Sequence, residues 1–266
     1  MKAQIKPTIL KLGGSVITDK SKPYSFLTSV VKRVAREISM AKPDGLVIVH
    51  GGGSFGHPLA REYNLAAGFV RHSQLEGFVK TRQAMLILNK LIIEALVDEG
   101  IKPVSLQPSA FIITRNGRIV AFDTVILSRM LGLGLTPVLY GDVVLDQVNG
   151  FSILSGDQIV SRLASVLGSK RIILACDVDG VYTADPKIHH GSKLVRKLTL
   201  PDLKKIKVDN SGRVSDVTGS MAGKLDEMVP ALKMGIPVVI LNGLKRRRIH
   251  TALKGLTPLG TTISFK

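Results

Sequence analysis

The chain has 266 residues, 45% of them hydrophobic, which is enough to bury the core of one large domain or of two lobes that share a core. No apolar run approaches the roughly 18 residues that cross a bilayer, the first residues lack the apolar core of a signal peptide, and the single cysteine excludes an intramolecular disulfide, so we expect a soluble, cytoplasmic protein with no membrane partner. The net charge of +17 is compatible with a solvated basic surface, with small polyanionic substrates or with nucleic acid.

Short apolar runs alternate with longer segments of helical periodicity almost throughout the chain. In chain order, the predicted elements are a strand at 8–12, a helix at 27–40, a strand at 46–50, a helix at 76–99, strands at 103–106, 111–114 and 118–122, a helix at 123–131, strands at 137–140, 143–146 and 151–154, a helix at 157–167, a strand at 171–175, a helix at 221–234, and strands at 237–241 and 261–265. Asn116-Gly117 and Asn149-Gly150 predict hairpin turns. The pattern predicts an α/β fold, a three-layer sandwich with a mainly parallel central sheet and inserted β-hairpins, in a single domain whose lobes, 1–168 and 169–266, meet near Gly168.

The first strand ends in a Lys-Leu-Gly-Gly-Ser segment, residues 11–15, and Lys20 lies in the loop that follows. The glycines offer backbone N–H groups to an anion, and the two lysines add compact positive charge. Phosphoryl transfer needs positioning and positive charge on the moving group more than covalent help from the protein. The segment is therefore compatible with two interpretations: a phosphate-binding site, or a tight turn whose lysines face the solvent.

The second strand leads into a glycine-rich stretch, Gly51-Gly52-Gly53-Ser54-Phe55-Gly56-His57-Pro58, in which the proline suits the first turn of a following helix. Its glycine spacing formally satisfies the dinucleotide fingerprint and approaches that of a P-loop. The acid that the fingerprint expects at the end of the next strand is missing, and so are the Lys and Ser/Thr of the P-loop. What remains is an anion cradle at a helix N-terminus, with the imidazole of His57 at its mouth.

Three later segments also follow strands or begin helices. Asp157, in a Ser-Gly-Asp segment at 155–157, either caps a helix or orients the lysines and organises a metal ion with its waters. Residues 177–186 hold several acids, a tyrosine and an Asp-Pro turn, and they suit the edge of a nucleotide or a plain loop. Residues 216–220, with Lys224 one turn on, form a second generic anion site. Because such segments meet at the carboxyl edge of a parallel sheet, we expect one shared site.

These five segments, in this order, resemble the amino acid kinase superfamily over essentially the whole chain. Within it, the chain is similar to the isopentenyl phosphate kinase family in residues 11–20, in Gly56-His57-Pro58, in the Tyr-Gly-Asp-Val segment at 140–143 and in the Ser-Gly-Asp segment at 155–157. Ser220 departs from the pattern, because that family usually has glycine there. A serine keeps the N–H donor but disfavours positive φ.

The resemblance implies an ATP-dependent homodimeric kinase that uses Mg²⁺ and converts isopentenyl phosphate, and other small alkyl phosphates, to the diphosphate in an alternative mevalonate pathway. The N-terminal lobe would bind the acceptor and dimerise, and the C-terminal lobe would bind the nucleotide. Catalysis would rest on Lys11, Lys20 and Asp157, with no residue predicted as a metal ligand, and the acceptor phosphate would be held by Gly52, His57 and Gly156. The residues that would hold ATP are Lys11, Gly13, Gly14, Ser15, Gly53, Asp177, Tyr182, Gly219, Ser220 and Lys224.

A prenyl tail also needs an apolar pocket. Phe78, Met85 and Leu88 on the predicted helix 76–99, together with Met130, have suitable side chains. Such residues more often form the core, so we leave them out of the predicted site.

Alternative functions stay open. A sister kinase acting on fosfomycin, uridylate or acetylglutamate shares most of these segments, and fosfomycin kinases also share the histidine. A second alternative, a nicotinamide-dependent reductase, is supported only by the glycine spacing of the dinucleotide fingerprint. A basic nucleic-acid-binding module has local support only from residues 245–248, Lys-Arg-Arg-Arg, which we interpret as a solvated helix start. Because aromatic residues make up 5% of the chain and tryptophan is absent, few side chains can stack on bases, and we expect no nucleic-acid partner.

Overall fold

The computed structural model describes residues 5–186, 188–203 and 219–266. Helices in this part of the chain are α1 Gly14–Ile17, α2 Thr28–Ala41, α3 Gly53–Glu62, α4 Ser73–Asp98, α5 Val125–Gly132, α6 Gly156–Leu167, α7 Gly219–Lys233 and α8 Arg248–Leu253. Strands are β1 Thr8–Leu12, β2 Leu46–His50, β3 Pro103–Ser105, β4 Ile112–Arg115, β5 Arg118–Phe122, β6 Thr136–Tyr140, β7 Asp142–Asp146, β8 Gly150–Leu154, β9 Arg171–Cys176, β10 Val181–Tyr182, β11 Leu194–Val195, β12 Lys197–Thr199, β13 Val238–Asn242 and β14 Gly260–Ser264. None of the helices in these ranges is long and apolar enough to cross a membrane.

A mainly parallel sheet forms the centre of the molecule. Its strand order over the described residues is β12-β14-β13-β9-β1-β2-β6-β3. The pairs from β13 through β9, β1, β2 and β6 to β3 are parallel, and β14 runs antiparallel to β13. The predicted parallel-rich sheet is therefore confirmed, and the carboxyl ends of β1, β2 and β9 lie side by side at one edge.

Both faces of the central sheet are covered, which explains why its strands have apolar residues at successive positions rather than at every second one. Ile9 faces a core that includes residues of α5, α6 and α7, whereas its neighbour Leu10 faces a core built with α2, α4 and α8. Both side chains are fully buried. The predicted three-layer arrangement is confirmed; the division into lobes at 168/169 stays a prediction.

The two predicted hairpins are present and join in a separate sheet of order β5-β4-β7-β8. Asn116 and Gly117 both have positive φ, 50° and 72°, as a two-residue hairpin turn requires. Asp146 connects the hairpins, because its carboxylate accepts N–H groups from Gly117 at 2.8 Å and from Val148 and Asn149 at 2.9 Å. Asp146 thus fixes the second turn against the first.

One prediction about the glycine-rich stretch was wrong. The helix does not begin around Pro58 but at Gly53, so that Pro58 lies inside α3. A proline there has no N–H to donate to the carbonyl of Ser54 four residues earlier. That carbonyl instead accepts the N–H of Tyr24, at 3.1 Å, from the loop that carries Lys20. The short helix α1 was also not predicted.

The basic run at 245–248 leads into α8, as expected for a helix start. Its backbone is held by a buried acid on α2. The Glu37 carboxylate accepts the N–H groups of Arg247 at 2.8 Å and His250 at 3.1 Å, and it pairs with Arg33 at 2.6 Å. Glu37 therefore caps α8 from a distant helix. The backbone of the basic run is fixed by this cap, while its side chains at 245–247 are exposed.

Candidate active site

A cavity of about 750 Å³ opens at the edge of the sheet where β1, β2 and β9 end. The glycine turns that follow β1 and β2 are in direct contact there. A Cβ atom on Gly14 would lie 2.6 Å from the Cα of Gly53, and one on Gly51 would lie 2.9 Å from the Gly14 nitrogen. Side chains at these positions would force the turns apart, so glycine is needed there for the close approach of the two turns.

Nearly all residues of the predicted site line this one cavity, in agreement with the expectation of a shared site. They are Lys11, Gly13, Gly14, Ser15, Lys20, Gly52, Gly53, His57, Gly156, Asp157, Asp177, Tyr182 and Lys224. Gly219 and Ser220 begin α7, whose Met221 and Lys224 reach the cavity. Residues 216–218 of the same predicted segment lie outside the described residues.

Among the described residues, three helices begin at the cavity wall directly after a strand or its glycine turn. They are α1 at Gly14, α3 at Gly53 and α6 at Gly156. First-turn N–H groups have no acceptor within their own helix, and the helix dipole adds partial positive charge. The Ser155 side chain accepts the Gln158 N–H and so fixes the start of α6. The wall is thus suited to more than one phosphate group.

Asp157 lies between two lysines. Its Oδ2 is 2.5 Å from Lys11 Nζ and 4.0 Å from Lys224 Nζ. Burial lowers the pKa of Lys11 and Lys224 lowers it further, while the Asp157 carboxylate raises it. The carboxylate therefore favours the charged form of a lysine that has almost no access to water, and it lies within reach of both ammonium groups.

His57 lies in α3, and its side chain is open to the cavity. The surrounding protein lowers the pKa of His57, and the positive charges of Lys20, Arg61, Lys11 and Lys224 lower it further. The ring is therefore neutral at pH 7 before an anion binds, and it can donate one N–H. A bound anion would reverse the repulsion among these cations.

The opposite side of the cavity is formed by the segment after β9. Asp177, Tyr182, Asp185 and Pro186 all line it. Arg248 stands 3.8 Å from the carboxylate of Asp179 in the same segment, so α8 supports this wall. An aromatic ring can contact a planar base, and carboxylates can accept hydrogen bonds from ribose hydroxyls. This side of the cavity therefore suits a nucleoside.

Several lining residues were not predicted. Arg61 lies four residues after His57, so it shares a helix face with it, and this spacing was a signal that the sequence offered. Met85 is buried in the core, as expected, and it also lines the cavity, together with Thr81 and Ile153. Leu88, by contrast, is fully buried in the core as expected.

His50, at the end of β2, was also missed. Its Nδ1 is 3.1 Å from the Gly51 carbonyl and its Nε2 is 3.2 Å from Asn89 Oδ1. Complete burial lowers the pKa of His50 to about 4. The neutral imidazole carries one N–H, so it donates to one of these two oxygens. It packs against the peptide at which the second glycine turn begins.

The arrangement can bring two phosphate groups together. Two touching glycine turns supply N–H donors, while Lys11, Lys20 and Lys224 supply positive charge around the same space. Such an array stabilises charge on a phosphoryl group as it moves between two oxygen atoms.

The comparisons with known proteins agree with this geometry. The model of the amino acid kinase family matches residues 6–242. The isopentenyl phosphate kinase of Methanothermobacter thermautotrophicus is 41% identical, over 97% of this chain and 99% of its own length, and that of Methanocaldococcus jannaschii is 39% identical, over 97% and 98%. A crystallographic isopentenyl phosphate kinase superposes with a TM-score of 0.85 at 38% identity, covering 96% of this chain and 99% of its own.

Proposed function

The chain belongs to the amino acid kinase family, within its isopentenyl phosphate kinases, and from that premise we propose that it transfers the γ-phosphoryl group of ATP to isopentenyl phosphate, giving isopentenyl diphosphate and ADP. The observation that carries the proposal is the contact between the glycine turns after β1 and β2, at a cavity that also holds three lysines and His57. Two phosphate anions repel each other, and this concentration of N–H donors and positive charge offsets the repulsion.

The acceptor phosphate lies, in this proposal, on the side of the second turn. Gly52 and Gly156 offer backbone N–H groups, and His57 donates a side-chain hydrogen bond. His57 lies one turn into α3 and lines the same cavity as Gly52, Gly156 and Lys20, which supports this assignment.

ATP occupies the remainder of the cavity. Its phosphates contact Lys11, Lys224 and the N–H groups of Gly14 and Ser15 in the first turn, with Gly53 at the border between the two ligands. The N–H of Gly13, which was predicted to join them, donates to the Ala175 carbonyl at 2.9 Å instead. The helix start at Gly219 and Ser220 adds N–H groups beside them. Asp177 and Tyr182 contact the nucleoside.

The reaction is direct in-line transfer. An acceptor phosphate oxygen is already anionic, so it attacks without a general base. Lys20 stabilises the phosphoryl group in flight, while Asp157 orients Lys11 and Lys224 toward the phosphates. Because these lysines are fixed before the substrates arrive, little reorganisation is needed at the moment of transfer.

The hydrocarbon tail of the acceptor would pack against the apolar part of the cavity. Met85, Val143, Ile153 and Leu154 supply that surface. Only the phosphate is held by polar groups in this proposal, so other small alkyl phosphates are expected to be accepted as well.

Mg²⁺ is proposed as the accompanying cation. No group of three or more metal-ligating side chains occurs in the described ranges, which fits Mg²⁺, since it keeps several waters and binds through one or two carboxylates plus phosphates. Asp157 Oδ1 is buried and has no hydrogen-bond partner among those residues, so this carboxylate is suited to hold the ion or its waters. When bound, Mg²⁺ would neutralise charge on the ATP phosphates.

A homodimer is proposed through α4. Leu75, Val79, Leu86 and Val97 fall within about 40° of one another around this helix at 3.6 residues per turn. All four side chains are about half exposed, between 43% and 55%. Light scattering would test this by giving a mass of either 28.7 kDa or twice that value, and Leu86→Glu should shift a dimer to monomers. The cytoplasmic location stays a prediction from the single cysteine.

An ADP-release assay with ATP, Mg²⁺ and one acceptor at a time tests the function. Isopentenyl phosphate should be turned over far faster than fosfomycin, uridylate or acetylglutamate. Lys11→Ala should abolish the activity, while Lys170→Ala, at an exposed pair 3.2 Å from Asp44, should leave it unchanged and so exclude a contaminating kinase. Faster turnover of any of the other acceptors would refute the proposed substrate.

A further inference from the structure

All three hydrogen-bonding groups of Ser54 are directed to the segment that carries Lys20. The Ser54 N–H donates to Thr18 Oγ1 at 3.0 Å, and its Oγ accepts the Ser25 N–H at 3.1 Å. Its carbonyl accepts the Tyr24 N–H at 3.1 Å. The Ser54 side chain is only 3% exposed. One buried residue of α3 therefore binds both ends of the segment 18–25.

The sequence of α3 makes this possible. Ser54 is the second residue of the helix, so its N–H has no acceptor within α3. Pro58, four residues on, has no N–H, so the Ser54 carbonyl has no helical donor. Both backbone groups are consequently free to bind outside the helix, and the Lys20 segment takes up both.

The segment itself is closed and tied to the rest of the site. Thr18 Oγ1, which accepts from Ser54, donates to the Gly14 carbonyl at 2.7 Å. Asp19 N–H donates to the Ser25 carbonyl at 3.0 Å, and the Tyr24 ring stands edge-on to Phe55 with centroids 5.2 Å apart. Lys20 therefore projects from a short loop whose two ends are joined to each other and to α3.

The same helix carries His57, three residues after Ser54. His57 and Lys20 line the same cavity, so the two side chains face the same space. We propose that Ser54 is a positioning residue, which fixes the ammonium group of Lys20 relative to the acceptor side of the site formed by Gly52 and His57. The inference rests on the proposed function, in which Lys20 stabilises the phosphoryl group during transfer.

Positioning makes a specific kinetic demand. Lys20 acts on the moving group rather than on either bound ligand, so its misplacement should lower kcat and leave both KM values nearly unchanged. Ser54→Ala removes the acceptor of the Ser25 N–H and keeps the helix, because alanine favours helices more than serine does. We expect kcat to fall about tenfold with both KM values within about threefold, since small displacements of a catalytic group are costly.

A double-mutant cycle separates positioning from general damage. Single-turnover rates, which remain measurable in slow enzymes, are compared for Ser54→Ala, Lys20→Ala and the double variant. If Ser54 acts through Lys20, the double variant should be within about twofold of Lys20→Ala alone. The proposal would be overturned if Ser54→Ala lowered the single-turnover rate by the same factor in the wild-type and Lys20→Ala backgrounds. It would also be overturned if Ser54→Ala alone had the wild-type rate. Ser54→Cys, which keeps the side-chain volume with a weaker acceptor, replaces Ser54→Ala if that variant does not fold.

Amide hydrogen exchange gives a readout that does not require activity. The Ser25 amide should exchange at least about tenfold faster in Ser54→Ala than in wild type. Ser165→Ala is the matched control, because the Ser165 hydroxyl donates within its own helix, α6, to the Ser161 carbonyl at 2.9 Å. This variant should change neither the Ser25 exchange nor kcat. Faster exchange with an unchanged kcat would make Ser54 purely structural and overturn the inference. If wild-type enzyme does not phosphorylate isopentenyl phosphate, the proposed function fails separately, and the exchange result still decides whether Ser54 holds the segment.

Discussion

Asp157→Asn tests whether the acid between the lysines keeps Lys11 charged. The ion pair is almost inaccessible to water, with side-chain exposures of 7% for Lys11 and 13% for Asp157 at a separation of 2.5 Å. Removing one partner of a buried pair costs about 3–5 kcal/mol, because the other charge is left uncompensated. This cost has an upper limit, because Lys11 can release its proton instead of staying charged without a partner. Deprotonating a lysine with an ordinary pKa near 10.4 takes about 4–5 kcal/mol at pH 7. We therefore expect a loss of roughly 3–5 kcal/mol in the free energy of unfolding.

The same substitution should change the pH dependence of the reaction. Asp157 raises the pKa of Lys11 against burial and against Lys224, so its loss lowers that pKa further. Lys11 is needed in its charged form, so activity is lost as the pH rises through its pKa. The alkaline limb of the kcat profile should consequently move to lower pH in the variant, and kcat at pH 7 should fall about 100-fold, as expected when a catalytic group is misplaced.

Urea unfolding and a pH series of initial rates would measure both effects. Asp44→Asn is the matched control, because its pair with Lys170 is on the surface at 3.2 Å and is worth at most about 1 kcal/mol. Two results together would show that Asp157 does not stabilise the charged form of Lys11. The free energy of unfolding would fall no further in Asp157→Asn than in the control, and the alkaline limb of the kcat profile would not move.

Three further predictions concern single residues. His57→Ala should raise the acceptor KM at least about tenfold, with the ATP KM within about twofold, because His57 is assigned to the acceptor phosphate alone; equal changes in both KM values would contradict this. Glu37→Gln should cost about 2 kcal/mol in urea unfolding, since the charged acceptor of two N–H groups of α8 is lost, while kcat per folded enzyme stays constant. Asp146→Asn should cost a similar ~2 kcal/mol at pH 7. Desolvation acts to raise the pKa of Asp146, but N–H donors from Asn149, Gly117 and Val148 outweigh it and hold the pKa well below its usual range. That stabilisation is present above the unfolded-state pKa of about 3.9 and is lost as the pH falls through the lower folded-state value, so wild type and variant should converge in acid.

The sequence predicted the sheet and the shared cavity because both follow from local patterns. Apolar runs such as 46–50 carry the strand signal within themselves, and glycine turns after parallel strands meet at one edge for topological reasons. Asn116-Gly117 specified its turn through the positive φ that those two residues tolerate. Residue type and position in the chain were sufficient for these features.

Other features depend on residues that are distant in sequence. Glu37 caps a helix that begins 211 positions later, and nothing in the local pattern of α2 marks this acid as buried. Met85 is a second example: the helical pattern correctly places it in the core, but only the fold shows that it also lines the cavity. Such assignments need the packing of one element against another, which composition and periodicity do not contain.

Pro58 shows how one residue can support two different local interpretations. A proline shortly after a glycine-rich turn favours a helix start, because its fixed φ suits the first turn and its missing N–H costs nothing there. The structure instead has Pro58 in the sixth position of α3, where the missing N–H leaves the Ser54 carbonyl without a helical donor. The Tyr24 N–H satisfies this carbonyl, so the cost of an interior proline is offset by a tertiary hydrogen bond. Pro58 therefore does not begin α3. By lacking an N–H, it leaves the Ser54 carbonyl available to the segment that carries Lys20. This consequence becomes visible only when both segments are placed side by side.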